Sequence, residues 1–119
     1  MGSLAVPPEE MFLSSVRSRD DLGAFFEYDG ETGYFYLYDP LRQGGERIVN
    51  SIHVISGNPD FREADLEIRW SPDEQTVGLL IRGQPWAAFS GKLGFGGNYR
   101  PGGRVQLPDQ ILRALKETA

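Results

Sequence analysis

"DLEIRWSPDEQTVGLLIRGQPWAAFS", residues Asp65 to Ser90, decides the fold. Its apolar runs follow one another with only turn residues between them. That leaves no length for a crossover helix, and strands joined so closely must be antiparallel. In the first run Leu66, Ile68 and Trp70 alternate with Asp65, Glu67 and Arg69, as expected of a strand with one face in water. The next run offers Val77, Leu79 and Ile81. The two triplets share a face only if the loop between them has an even number of residues, because a one-residue slip turns every side chain over. The pattern therefore predicts an even loop centred on Asp73 and Glu74. Gly83 and Gln84 suit the centre of a two-residue type II′ turn that sets Trp86 opposite Ile81. Pro85 has no N–H to donate and belongs at an edge or a non-bonded site.

Outward from this stretch, the same patterning gives six strands: Leu22 to Tyr28, Tyr34 to Asp39, Arg47 to Ile55, Asp65 to Trp70, Thr76 to Arg82 and Pro85 to Ser90. The predicted fold class is mainly β with minor α. It is a six-stranded antiparallel meander forming a curved sheet, small sandwich or partial barrel, closed by a short C-terminal helix. In "LPDQILRALKETA" that helix has Pro108 and Asp109 at its start and Ile111, Leu112 and Leu115 on one face. "PPEEMFLSSVRS" reads as a second short helix carrying Met11, Phe12 and Val16. Gly91 to Gly103 holds six glycines and a proline in thirteen residues, too loose for a strand, and is expected to be a mobile loop. The 119 residues suit one domain, with its core from about 20 to 119 and an N-terminal segment over 1–19.

Hydrophobic residues make up 39% and charged residues 24% of the chain, ordinary globular proportions. With no cysteine there is neither a disulfide framework nor a thiolate metal site, which suits a reducing cytoplasm. No window has the roughly 18 apolar residues of a membrane span, and no basic n-region opens a signal peptide. The formal charge of −5, with no local Lys/Arg cluster to offset it, disfavours nucleic acid and favours a basic partner.

"DGETGYFYLYD", Asp29 to Asp39, is the most unusual segment. A five-residue loop from Asp29 to Gly33 pairs Tyr28 with Tyr34 and Phe26 with Tyr36. It collects Leu22, Ala24, Phe26, Tyr28, Tyr34, Tyr36 and Tyr38 on one face, leaving Phe25, Phe35 and Leu37 on the other. Tyrosine hydroxyls suit a boundary between core and water. The tyrosines therefore either line a core rim or form an interface.

"FFEYDGETGYFYLYD", "IVNSIHVI" and "IRWSPDEQTVGLLIRGQPWAAF" together resemble a family of small bacterial proteins catalogued as domain of unknown function 2251, over Phe25 to Arg100. The resemblance implies a bacterial, cytosolic protein and these domain boundaries, and supplies no mechanism. His53 matches the family's histidine, whereas Trp86 stands where family members often carry a second one.

His53 is the only histidine, so a two-histidine metal site within one chain is excluded. It is either a general base or a structural residue satisfied by its neighbours. Glu27, Asp29, Glu31 and Asp39 cluster at the hairpin without EF-hand spacing. An Asx-type turn at Asp29, with Gly30 and Gly33 at positive φ, explains them without a ligand. "SGKLGFGGNYRPGG" lacks phosphate-loop spacing, though Lys92, Tyr99 and Arg100 could meet an acidic ligand from a mobile lid. "AAFSG" is not a nucleophile elbow. No catalytic residue, metal or cofactor is assigned.

The functional expectation is a non-catalytic protein-binding module, immunity-like in one form, acting through the acidic aromatic hairpin. Tyr34, Tyr36, Tyr38, Glu27, His53, Trp86, Tyr99 and Arg100 are its candidate binding residues. The alternative is a small-molecule-binding protein or minor enzyme with a site near His53, and homodimerisation through a sheet face is a third reading.

Overall fold

The computed structural model describes residues 10–42, 46–104 and 106–116. In chain order the elements are β1 (Met11–Val16), β2 (Gly23–Tyr28), β3 (Thr32–Tyr38), β4 (Ile48–Ser56), β5 (Leu66–Trp70), β6 (Thr76–Ile81), β7 (Gln84–Ser90), β8 (Leu93–Gly96) and α1 (Asp109–Lys116). The strands form two four-stranded antiparallel sheets, each in simple chain order, β1-β2-β3-β4 and β5-β6-β7-β8. The mainly β class with one C-terminal helix is as the sequence predicts. The single six-stranded meander is not, because two further strands split the chain into two sheets.

Both additional strands come from segments whose sequence misleads. Met11–Val16 was expected to be helical, yet its burial alternates with Met11 and Leu13 inward and Phe12 and Ser14 outward, a period of two. The part of that expected helix before Glu10 lies outside the described residues. Leu93–Gly96, expected within a loop, pairs with β7 in regular register from Ser90↔Leu93 to Ala87↔Gly96. Ladder hydrogen bonds need no side chain, and here the missing side chains are an advantage: Gly94 packs against Ile52, and a Cβ on Gly96 would strike the Trp86 carbonyl.

The sheets face each other across one core. Phe35 of the first stacks on Phe89 of the second at 5.2 Å, and both are fully buried along with Phe26, Leu37 and Leu79. Burying each such side chain contributes about 1.5–3 kcal/mol. β1 lies beside β5 and β4 beside β8, so both seams of the sandwich are closed. At one seam Trp70 Nε1 donates to Ser15 Oγ at 3.0 Å. At the other, the N–H groups of Asn98 and Tyr99 donate to the carbonyls of His53 and Val54 at 3.0 and 2.6 Å.

The register of the second sheet follows the parity argument. Leu66 pairs with Ile81, Ile68 with Leu79 and Trp70 with Val77, so the loop is even and both triplets enter the core. The next turn is displaced by one residue from the expected position. Ile81 pairs with Gln84, and the central residues are Arg82 and Gly83 with φ of 50° and 80°, the mark of a type I′ turn. Trp86 consequently does not face Ile81. It is the extra residue of a bulge between the Leu79↔Ala87 and Leu80↔Pro85 pairs.

The aromatic hairpin also differs by one residue. Tyr28 pairs with Gly33, Glu27 with Tyr34, Phe26 with Phe35 and Phe25 with Tyr36, so the loop has four residues and Gly33 belongs to the strand. Asp29 makes the expected Asx turn, its Oδ1 accepting the N–H groups of Glu31 and Thr32 at 2.8 and 2.9 Å. Gly30 has φ of 101°, but Gly33 is not among the positive-φ glycines. Gly33 is required for a different reason, since a Cβ there would come within 2.8 Å of the Phe26 ring.

α1 covers the outer face of the second sheet. Ile111 and Leu115 pack with Leu107 on Ala88, and Leu115 fills the space over Gly78 where a side chain would collide with it. Arg69 Nη1 donates to the Leu115 carbonyl at 3.1 Å, satisfying one of the unpaired groups at the helix end.

Candidate functional surface

The hairpin register decides what the first sheet shows to solvent. Across its four strands the outward residues form three rows. The first is Phe12, Glu27, Tyr34 and His53; the second Ser14, Phe25, Tyr36 and Ser51; the third Val16, Gly23, Tyr38 and Ile48. The inward rows carry Met11, Tyr28, Phe26, Phe35, Ala24 and Leu37, all buried. The three tyrosines, expected to share a face with Phe26 and Tyr28, instead stand on the opposite side.

The outer rings touch in sequence. Phe12 and Phe25 have centroids 5.8 Å apart, Phe25 stacks on Tyr36 at 4.6 Å, Tyr36 meets Tyr34 at 5.9 Å, and Tyr34 meets His53 edge-on at 5.2 Å. Tyr38 closes on Phe25 from the other side at 5.5 Å. Glu27 lies within this set, cross-strand neighbour of Phe12 on one side and of Tyr34 on the other. Burial, reinforced by the Glu27 carboxylate, raises the Tyr36 phenol above its usual pKa. Phe12 is 55% exposed.

Two depressions border the rings. One of about 360 Å³ is lined by Phe12, Phe25, Glu27, Tyr38, Arg47 and Ile48 among others. The other, about 590 Å³, is lined by Glu10, Glu27, Asp29 and Glu63 with Met11, Phe12 and Tyr28, with no Lys, Arg or His among the described residues of its wall. Glu63 is fixed there by the Phe12 N–H, which donates to its Oε2 at 3.1 Å.

The other candidate residues separate from this face. Tyr99 is buried, stacks on Trp86 at 4.8 Å and donates its hydroxyl to Asp60 Oδ1 at 2.6 Å. That hydrogen bond, followed by Arg82, holds the Asp60 carboxyl below its usual range. Tyr99 is thus a packing residue with a satisfied hydroxyl and does not project from a lid. Trp86 and Arg100 line a glycine-rich cleft of about 600 Å³ with Asn98 and Arg104. Lys92 is exposed elsewhere, its carbonyl accepting from Asn50 Nδ2 at 2.9 Å.

His53 belongs to both regions. Its ring meets Tyr34, while Nε2 lies 2.8 Å from Ser56 Oγ and Nδ1 3.1 Å from Asn98 Oδ1. Ser56 and Asn98 carried no signal in the sequence, and neither did Phe12 and Phe25 as members of the outer face. Parity read from the loop assigned Phe25 elsewhere, and parity along a regular strand separates His53 from Ser56. Among the described residues no group of three or more His, Cys, Asp or Glu side chains is placed to hold a metal ion, and no helix is long and apolar enough to cross a membrane.

Comparison with known proteins places the chain among relatives. No solved structure matches it. A Haemophilus influenzae protein described as "Uncharacterized protein" is 38% identical over 91 residues, covering 68% of this chain and 56% of that protein. The chain thus spans about half the length of the curated relative it matches. The family model described as "Uncharacterized protein conserved in bacteria (DUF2251)" matches residues 5–102, and the chain belongs to that family.

Proposed function

We propose that this is a non-catalytic protein-binding module of the bacterial cytoplasm, whose aromatic outer face takes a basic segment of another protein. The observation that carries the reading is the placement of Glu27 between Phe12 and Tyr34 within a connected set of rings. A Lys or Arg side chain laid there meets ring faces that attract a cation and a carboxylate that pairs with it. The acid-lined depression beside Phe12 extends the match to a partner with several cations, and the net charge of −5 favours its approach. An immunity-like role, in which this face blocks a basic toxin, is the narrower form of the same idea.

The test is capture from a bacterial lysate by the intact protein, by Tyr36→Ala and by Glu27→Gln, each first shown to be folded. A basic protein retained by the intact form should be lost about tenfold with Tyr36→Ala, the scale of a truncated interface anchor. Its retention by Glu27→Gln should also fall, and should weaken with salt. Equal capture by all three proteins overturns the proposal. A mass that rises with concentration for the intact chain, and not for Tyr36→Ala, would assign the face to homodimerisation instead.

A further inference from the structure

β4 brings together two side chains that a regular strand keeps apart. His53 and Ser56 are three positions apart, an odd spacing that puts them on opposite faces. The ladder to β3, however, pairs Tyr34 with His53 and Gly33 with Ile55, so Val54 is an extra, buried residue and the strand bulges there. Parity inverts at the bulge. His53 faces outward with Tyr34, and Ser56 returns to the same side.

The surroundings fix the imidazole. Asn98 Oδ1 lies 3.1 Å from Nδ1, and an amide oxygen accepts, so this contact favours the tautomer with its proton on Nδ1. In that tautomer Nε2, 2.8 Å from Ser56 Oγ, has a lone pair to accept the hydroxyl proton. Asn98 is tied down in turn. Its N–H donates to the His53 carbonyl at 3.0 Å, and its φ of 51° is one that few non-glycine residues adopt. Gly97 before it has no room for a Cβ against that same carbonyl. A bulge, a glycine and a left-handed asparagine thus converge on one histidine ring.

We propose that Ser56 is an activated nucleophile, with His53 as its general base and Asn98 as the positioning residue, which accepts small activated acyl or phosphonyl groups at the exposed end of β4. Nucleophile, base and orienting group stand in the order of serine and cysteine hydrolase triads, with an amide as the third member. In the step, Ser56 Oγ bonds to the acyl carbon while its proton passes to His53 Nε2. The bond to the leaving group breaks, and the leaving group departs with that proton. The N–H of Gly57, next after the nucleophile, is already donated to the Glu31 carbonyl at 2.7 Å and is not free to stabilise an oxyanion. Ser56 is therefore a site that takes up one acyl or phosphonyl group, a covalent modification and not a turnover reaction, which leaves the non-catalytic reading in place.

A fluorophosphonate probe tests this with the full chain: a P–O bond forms to Ser56, the P–F bond breaks, and fluoride leaves with the serine proton. Peptide mapping should find the adduct on Ser56, an exposed position, and none in a Ser56→Ala variant first shown to melt like the intact protein. His53→Gln should slow labelling about 100-fold. Asn98→Gly relieves the backbone and keeps the N–H but removes the acceptor, so it should label about tenfold more slowly while melting no lower; Asn98→Asp restores the acceptor and the labelling. No adduct on Ser56, or equal labelling of His53→Gln and the intact protein, overturns the proposal. Asn98→Gly labelling at the intact rate removes Asn98 from its positioning role.

Discussion

The two sheets share a core but have opposite outer faces, and the residues beneath each face explain the difference. Where the helix sits, the outer face of the second sheet presents Gly78 and Ala88, small residues over which Leu115 and Ile111 settle, with Phe95 beside them. The corresponding face of the first sheet carries Phe12, Phe25, Tyr34, Tyr36 and Tyr38, whereas α1 lies against β6 and β7 of the other sheet. Among the described residues, the face that carries the rings is the one without a helix over it. Cover follows shape: a helix needs a flat bed of small residues to approach closely, while a row of rings standing off a sheet holds a helix away. Large rings left uncovered by the described residues are the feature on which the proposed binding role rests.

That contrast predicts its own largest effect. Leu115→Ala leaves a cavity over Gly78 and should destabilise by about 2–5 kcal/mol, lowering Tm by roughly 4 °C or more for each kcal/mol. Tyr36→Ala, which gives up a stack on Phe25, should cost about 0.5–1.5 kcal/mol. Thermal denaturation of the two variants side by side measures the difference. Equal losses would mean that the aromatic face is held as tightly as a core and would break the comparison.

The sequence made the second sheet easier to read than the first, and the reason is local. Leu66, Ile68 and Trp70 alternate with charges, so only an even loop could bury them together with Val77, Leu79 and Ile81, and that register is the one found. In the hairpin both parities bury aromatic residues, so the pattern did not discriminate. Reading Gly33 as a turn residue added one position to the loop and assigned the tyrosines to the wrong face. The bulges at Val54 and Trp86 had no signal either, because they answer to packing across strands. His53 was visible as a candidate from its chemistry. Its partners Ser56 and Asn98 were not, since one arrives through a bulge and the other from a glycine-rich segment that had no expected strand.

A smaller effect should separate the seams of the sandwich from its faces. Tyr99 donates to Asp60, and Ser18, through its N–H and hydroxyl, donates to Glu74 of the β5–β6 loop. Both carboxyls are held below their usual range by these bonds first, with arginines adding to them. A carboxyl whose folded pKa is depressed binds fewer protons folded than unfolded. Its stabilisation is present above the unfolded value, near pH 4, and is lost as the pH falls through the folded one. Tm should therefore decline from about pH 5 downward, and the decline should be shallower in Asp60→Asn. An Asp60→Asn variant with the same acid slope would show that the seam at Tyr99 is not held by this ionised group.

The smallest change in stability should accompany one of the larger losses of binding. Phe12 is 55% exposed on the strand at the margin of the first sheet, and its ring lies 5.8 Å from Phe25. Phe12→Ser removes that ring while the inward neighbours Met11 and Leu13 keep the strand in place, so the stability change should fall within about 0.5 kcal/mol. The same substitution removes one wall of the position around Glu27 and part of both neighbouring depressions, and should weaken capture of a basic partner about fivefold or more. If the ring were merely hydrophobic surface awaiting burial, its loss would leave binding unchanged and could only improve solubility. Measuring Tm and retention on the same sample therefore asks whether the open face is a consequence of folding or the reason for this fold.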